Sequence, residues 1–109
     1  MSYKVKSITV FEKQAKRLIK KYVSLKKELF DLIQKLKENP KQGTAVGKSC
    51  YKIRIAIASK KQGKSGGARI ITNFVVADNI IYLLSIYDKS EKENLTDKEL
   101  DELLKFVPE

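Results

Sequence analysis

The spacing of apolar residues predicts two helices in the first third of the chain. Apolar side chains recur every three or four positions in two series, Phe11, Ala15, Leu18, Ile19 and Tyr22, then Leu25, Leu29, Leu32, Ile33 and Leu36. Ser24 is suited to cap the second helix. Asn39-Pro40 ends it, because the residue before a proline is pushed out of helical geometry. A shorter alternation over residues 3–10 predicts a strand ahead of the helices.

From Cys50 the apolar period changes to two, which predicts strands. Tyr51, Ile53, Ile55 and Ile57 alternate with Lys52, Arg54, Ala56 and Ala58, so this strand has one apolar and one partly basic face. Residues 68–76 and 80–87 are rich in Ile, Val, Tyr and Phe, and Asp78-Asn79 between them favours a tight antiparallel hairpin. The nearly unbroken apolar run 80–84 indicates burial on both faces. Gly43 and Gly47 predict one loop, and residues 59–67, which include no apolar side chain, predict another.

A capping box at Thr96 and Glu99 predicts a final helix. The predicted element order is therefore β-α-α-β-β-β-α. We expect an α+β fold in which a small antiparallel sheet is packed by the N-terminal helical pair. The length of 109 residues predicts a single domain over residues 1–109.

The middle of the chain is purely basic. The net charge is +10, and residues 43–77 include seven Lys or Arg and no Asp or Glu. Such a surface attracts polyanions, so nucleic acid is the first partner to consider and an acidic protein or a membrane face the second. No apolar stretch approaches the roughly 20 residues of a membrane helix, and the N-terminus lacks a secretory signal, so we expect a cytoplasmic protein.

The residue types exclude several kinds of chemistry. The chain has no His, and its single Cys50 leaves no cluster for zinc and no internal disulfide. Cys–His nucleophiles and Ser-His-Asp triads are excluded, and Cys50 is interpreted as a small hydrophobic residue. Gly63-Lys64-Ser65 is not a phosphate-binding P-loop, because no glycine stands five residues earlier and a strand follows.

Three segments in order resemble one known family. They are Lys52-Ile53-Arg54, the run GKSGGARII at 63–71 and the run YDKSEKENLT at 87–96. Together they resemble the RelE/ParE superfamily of bacterial type II toxins, and specifically its RelE/HigB-like branch. The resemblance implies a metal-independent endoribonuclease that needs no cofactor and cleaves mRNA on the ribosome. It also implies a cognate antitoxin protein as partner.

The implied reaction is attack of a ribose 2′-OH on the adjacent phosphate, which needs a proton acceptor, a proton donor and cations. Carried over from the family motif, Lys64 and Arg69 contact the scissile phosphate; the alternatives are a solvated lysine and a surface arginine. Lys60 is a further catalytic candidate, since neighbouring positive charge lowers a lysine pKa and suits it to act as a base. The alternative is that Lys60 binds the RNA backbone or is merely solvated. Tyr87 is either a catalytic or base-stacking residue or an aromatic at the edge of the core.

The remaining basic candidates are expected to bind RNA. Lys52 and Arg54 share a strand face and form a phosphate track, unless they pair with the acidic C-terminal third. Lys61 binds backbone phosphates or is merely solvated, and Lys89 matches the Tyr-x-Lys pattern of the family. Two other functions stay open: a ParE-like toxin that inhibits DNA gyrase without cutting RNA, and an inactive nucleic-acid-binding module.

Overall fold

The computed structural model describes residues 3–61, 63 and 66–108. Its helices and strands, in chain order, are β1 (Lys4–Ser7), α1 (Thr9–Lys21), α2 (Leu25–Glu38), β2 (Thr44–Gly47), β3 (Cys50–Ile55), β4 (Ala68–Val75), β5 (Ile80–Asp88) and α3 (Asp97–Leu104). Two short 3-10 turns, Ala58–Lys60 and Val76–Asp78, precede and follow β4. The α+β class is therefore confirmed.

The five strands form one sheet in the order β1-β5-β4-β3-β2. Neighbouring strands are antiparallel except β1, which runs parallel to β5. The prediction of an antiparallel sheet is therefore wrong for one pair. The reason is topological: a parallel pair can be joined only through a long crossover, and here the whole stretch from α1 to β4 separates the two strands.

The segment predicted as a loop around Gly43 and Gly47 includes the edge strand β2. All four of its residues are exposed, so neither face leaves an apolar alternation in the sequence. The helix α1 begins at Thr9, which shortens the predicted first strand. Ser24 precedes α2, but its hydroxyl bonds to Glu28 and Ser59 instead of capping the helix backbone.

The centre of the sheet is the best-buried part of the fold. Every residue of β5 after Ile80 is buried, which confirms the predicted burial of both faces. The helices α1 and α3 both pack against this strand. The capping box of α3 is formed as predicted, with Thr96 and Glu99 bonding reciprocally. Within the described residues, no helix is long and apolar enough to cross a membrane.

Candidate nucleic-acid interface

Three predicted site residues form a row across the central strands. Arg54 of β3 pairs with Arg69 of β4, and Arg69 pairs with Tyr87 of β5. Directly paired residues of neighbouring strands point to the same face, about 4.8 Å apart. The Arg54–Arg69–Tyr87 row therefore places two guanidinium groups and one phenol on one sheet face. Like charges directly opposite each other destabilise a sheet, so this arrangement favours an anionic ligand.

Arg69 is held within the sheet. Only 5% of the residue is exposed. Its Nη1 donates to the carbonyl oxygen of Ala68 over 3.2 Å. Gly67, two residues before Arg69, lies so close to β3 that a Cβ there would collide with the Ile55 carbonyl oxygen. The start of β4 is thus a fixed support for the guanidinium.

Tyr87 is also 5% exposed. Its buried hydroxyl makes no hydrogen bond to any residue within 3–61, 63 or 66–108. Burial raises the pKa of Tyr87, while the positive charge of Arg69 opposes that rise and Glu99 adds to it. The phenol is therefore protonated at neutral pH and has a hydrogen to donate.

Lys52 lies two residues before Arg54 on β3, so both side chains share a face. The Lys52 Nζ donates to Asn94 Oδ1 over 3.3 Å. Arg54 is exposed, and no ion pair involves it among the described residues. The predicted alternative was that Lys52 and Arg54 pair with the acidic C-terminal third. Among the described residues, the only such contact is the hydrogen bond from Lys52 to the neutral amide of Asn94.

Lys60 occupies a different environment. Its Nζ lies 2.6 Å from Asp88 Oδ1, and it also donates to the Gly66 carbonyl oxygen and to Ser90 Oγ, each over 3.1 Å. Asp88 follows Tyr87 in β5, so successive side chains point to opposite faces of the sheet. The structure thus separates Lys60 from the row and makes it part of a buried ion pair.

The sequence did not lead us to predict Asp88 as the ion-pair partner of Lys60. Its side chain is completely buried and also accepts from Tyr22 Oη over 2.5 Å and from the Ser90 backbone over 2.9 Å. Burial alone would raise the pKa of Asp88, but the bonds from Lys60, Tyr22 and Ser90 outweigh it and hold that pKa well below its usual range. The signal in the sequence that could have indicated this ion pair is an acidic residue at the end of an apolar strand.

The other predicted residues are dispersed. Lys61 is exposed with a left-handed φ of 60°. The Lys89 Nζ lies 3.4 Å from the Glu93 carbonyl oxygen and 3.7 Å from its carboxylate. Lys64 lies outside the described residues. In the part of the chain that is described, no three His, Cys, Asp or Glu side chains are grouped as metal ligands would be.

Comparison with known proteins identifies the family to which the chain belongs. The model of the family described as "RelE toxin of RelE / RelB toxin-antitoxin system" matches residues 6–108. The chain therefore belongs to the RelE toxin family, which confirms both the resemblance and the prediction of a type II toxin. Its assignment to the HigB-like branch stays a prediction.

Solved structures of E. coli RelE share the fold. One is the toxin in the free state with two of its arginines replaced by alanine; it is 15% identical and matches with a TM-score of 0.62, over 99% of this chain and 100% of that chain. The isolated E. coli RelE toxin is 13% identical and also has a TM-score of 0.62, over 97% of this chain and 100% of that chain. At this identity the likeness establishes the shared architecture.

Proposed function

We propose that this RelE-family toxin inhibits translation by cutting mRNA at the Arg54–Arg69–Tyr87 row. The observation that carries the proposal is the direct pairing of two arginines beside a protonated, unbonded phenol. Lys52 and Arg54 extend positive charge along β3, where they suit successive backbone phosphates. The bound RNA then lies across β3, β4 and β5.

The reaction follows from what these groups can supply. The ribose 2′-oxygen bonds to the neighbouring phosphorus, and the bond from phosphorus to the 5′-oxygen breaks. Arg69 stabilises the extra negative charge on the phosphorane, because its planar fork can donate to two phosphate oxygens at once. The Tyr87 hydroxyl donates a proton to the leaving 5′-oxygen and is reprotonated by solvent, while the 2′-OH proton leaves to water. This assignment needs no metal ion to supply the positive charge.

Lys60 is not included in this mechanism. Its ammonium already donates to a buried carboxylate, a backbone carbonyl and a hydroxyl, so these contacts support an anchoring role. We further propose a cognate antitoxin and the ribosome as partners, in keeping with the toxin–antitoxin family. The ParE-like alternative has no specific observation in its favour.

The test is to map RNA ends after inducing the chain in bacteria. Wild type should arrest growth and produce new ends inside translated reading frames by primer extension. Arg69→Lys keeps the charge but loses the fork, so cleavage should fall by about 10²–10³. Arg17→Lys is the matched control, because Arg17 is an exposed arginine that pairs with Glu91. Growth arrest with intact transcripts and altered DNA supercoiling would favour gyrase inhibition instead.

A further inference from the structure

A cavity of about 330 Å³ lies between β5, α1 and α3, directly beside the row. Val10 of α1 and Leu95 and Leu103 from the C-terminal region form apolar walls. Phe106 also lines it and is 56% exposed. The cavity therefore offers apolar surfaces together with an accessible aromatic group.

Polar groups converge on the same cavity. Gln14 accepts from Ser85 Oγ over 3.1 Å and from the Ile86 backbone over 3.0 Å, both through Oε1. This fixes the amide and leaves its NH₂ group without a partner in the described part of the chain. Glu99 lines the cavity, pairs with Lys92 and accepts from the Thr96 backbone. Tyr87, whose buried hydroxyl has no hydrogen-bond partner among the described residues, also lines the cavity.

We propose that this cavity binds one nucleobase of the RNA, next to the phosphate held by Arg69. The inference rests on the proposed RNA cleavage and adds the residues that choose the base. Tyr87 is common to both sites, since it lines the cavity and is the direct neighbour of Arg69 in the sheet. A base seated behind Tyr87 therefore leaves its sugar and phosphate about one strand spacing away, at the row.

The mixture of apolar walls and polar edges fits a base better than an aliphatic side chain. A base stacks on aromatic and apolar groups and bonds through its edges. An aliphatic side chain from a protein partner would cover the cavity and leave the NH₂ group of the Gln14 amide unpaired, which is costly once water is excluded. Each Glu99 oxygen already accepts one hydrogen bond, from Lys92 or from the Thr96 backbone, and its remaining lone pair favours a base with an exocyclic amino group over uracil.

The ionisation state of Glu99 agrees with that role. Hydrogen bonds from Lys92 and from the Thr96 backbone lower the pKa of Glu99 to about 2. The side chain is thus an ionised acceptor at neutral pH. Replacement by Gln keeps the capping box, in which Gln serves as well as Glu, and exchanges the oxygen that pairs with Lys92 for an NH₂ donor. Glu99→Gln therefore changes the edge of the cavity while α3 keeps its cap.

The experiment compares cut sites of wild type and Glu99→Gln on translated RNAs that sample all sequences. Wild type should prefer an amino-bearing base at one position flanking the cut, and Glu99→Gln should reduce that preference about tenfold. Asp101→Asn is the matched control, because Asp101 is an exposed carboxylate of α3 that pairs with Lys48 outside the cavity. The control should keep the wild-type preference and thermal stability.

A wild-type protein that cuts with a base preference unaffected by Glu99→Gln would overturn the cavity assignment and leave cleavage intact. A change in antitoxin affinity without a change in base preference would overturn it in favour of a protein-binding pocket. If wild type cuts nothing, the proposed function fails, and calorimetric titration with cytidine 3′-monophosphate still tests the cavity. Wild type should then bind this probe several-fold more tightly than Glu99→Gln, and equal affinities would overturn the assignment.

Discussion

The Lys60 ammonium lies 2.6 Å from the carboxylate of Asp88, which is fully buried beside the proposed catalytic row. The same ammonium donates to the Gly66 carbonyl oxygen. One lysine therefore ties both ends of the basic segment between β3 and β4 to the end of β5. Tyr22 of the turn after α1 bonds to the same carboxylate, so Asp88 joins three parts of the fold.

Asp88→Asn should lower the free energy of unfolding at neutral pH by about 3–5 kcal/mol, because it removes one partner of a buried ion pair. The folded pKa of Asp88 is lowered, so its contribution is present above the ordinary Asp pKa of ~3.9 and is lost as the pH falls below that value. Denaturation in urea should show the difference between wild type and variant shrinking below about pH 4. A constant difference from pH 7 to pH 2 would contradict the assignment.

Lys60→Gln separates an anchoring role from a catalytic one. We expect lower thermal stability, since Asp88 loses its charged partner. At a temperature where the variant is folded, single-turnover RNA cleavage should stay within about tenfold of wild type, whereas loss of a general base costs about 10²–10⁴. A folded variant with cleavage reduced by that larger factor would restore Lys60 to the catalytic machinery.

Gly67→Ala tests how closely β3 and β4 approach each other next to Arg69. The added methyl group would collide with the Ile55 carbonyl oxygen and lie 3.1 Å from the Ala56 Cα. Such overpacking costs about 1–3 kcal/mol. Gly63→Ala is the control, because nothing lies within 4 Å of the Cβ position there. Equal melting temperatures for the two variants would show that the strands can separate freely.

Removing charge at Lys52 and Arg54 together tests the phosphate track. If each contacts one phosphate of a single strand, the double variant Lys52→Gln/Arg54→Gln should reduce the slope of log affinity against log salt by about 1.4. Lys26→Gln/Lys27→Gln removes two exposed charges from α2 and should leave the slope nearly unchanged. Unfolding of the first double variant would instead support a structural role for these residues.

Helices and strands could be predicted from the sequence where one of their faces is buried, because burial leaves a periodic apolar pattern. The alternation in β3 and the Thr96 and Glu99 cap of α3 carried clear local signals. The strand β2 is exposed on both faces and left none. The contact between Lys60 and Asp88 joins residues 28 positions apart, and no local pattern reports such a pairing. Likewise, Arg54 and Arg69 were each predicted as site residues, but not as a cross-strand pair. That pairing depends on the register of β3 against β4, which the sequence of the loop between them does not reveal.

Tyr87→Phe should separate the chemistry of the phenol from its packing. The hydroxyl is buried without a hydrogen-bond partner among the described residues, so its removal should leave the protein as stable as wild type or up to about 1 kcal/mol more stable. Cleavage should fall by about 10²–10⁴ in single turnovers on saturated complexes, because the leaving 5′-oxygen loses its proton donor. Tyr3→Phe is the control, since Tyr3 packs edge-on against Phe74 at the other end of the sheet. Normal cleavage by Tyr87→Phe would assign proton donation to solvent and leave Arg69 as the residue that carries the rate enhancement.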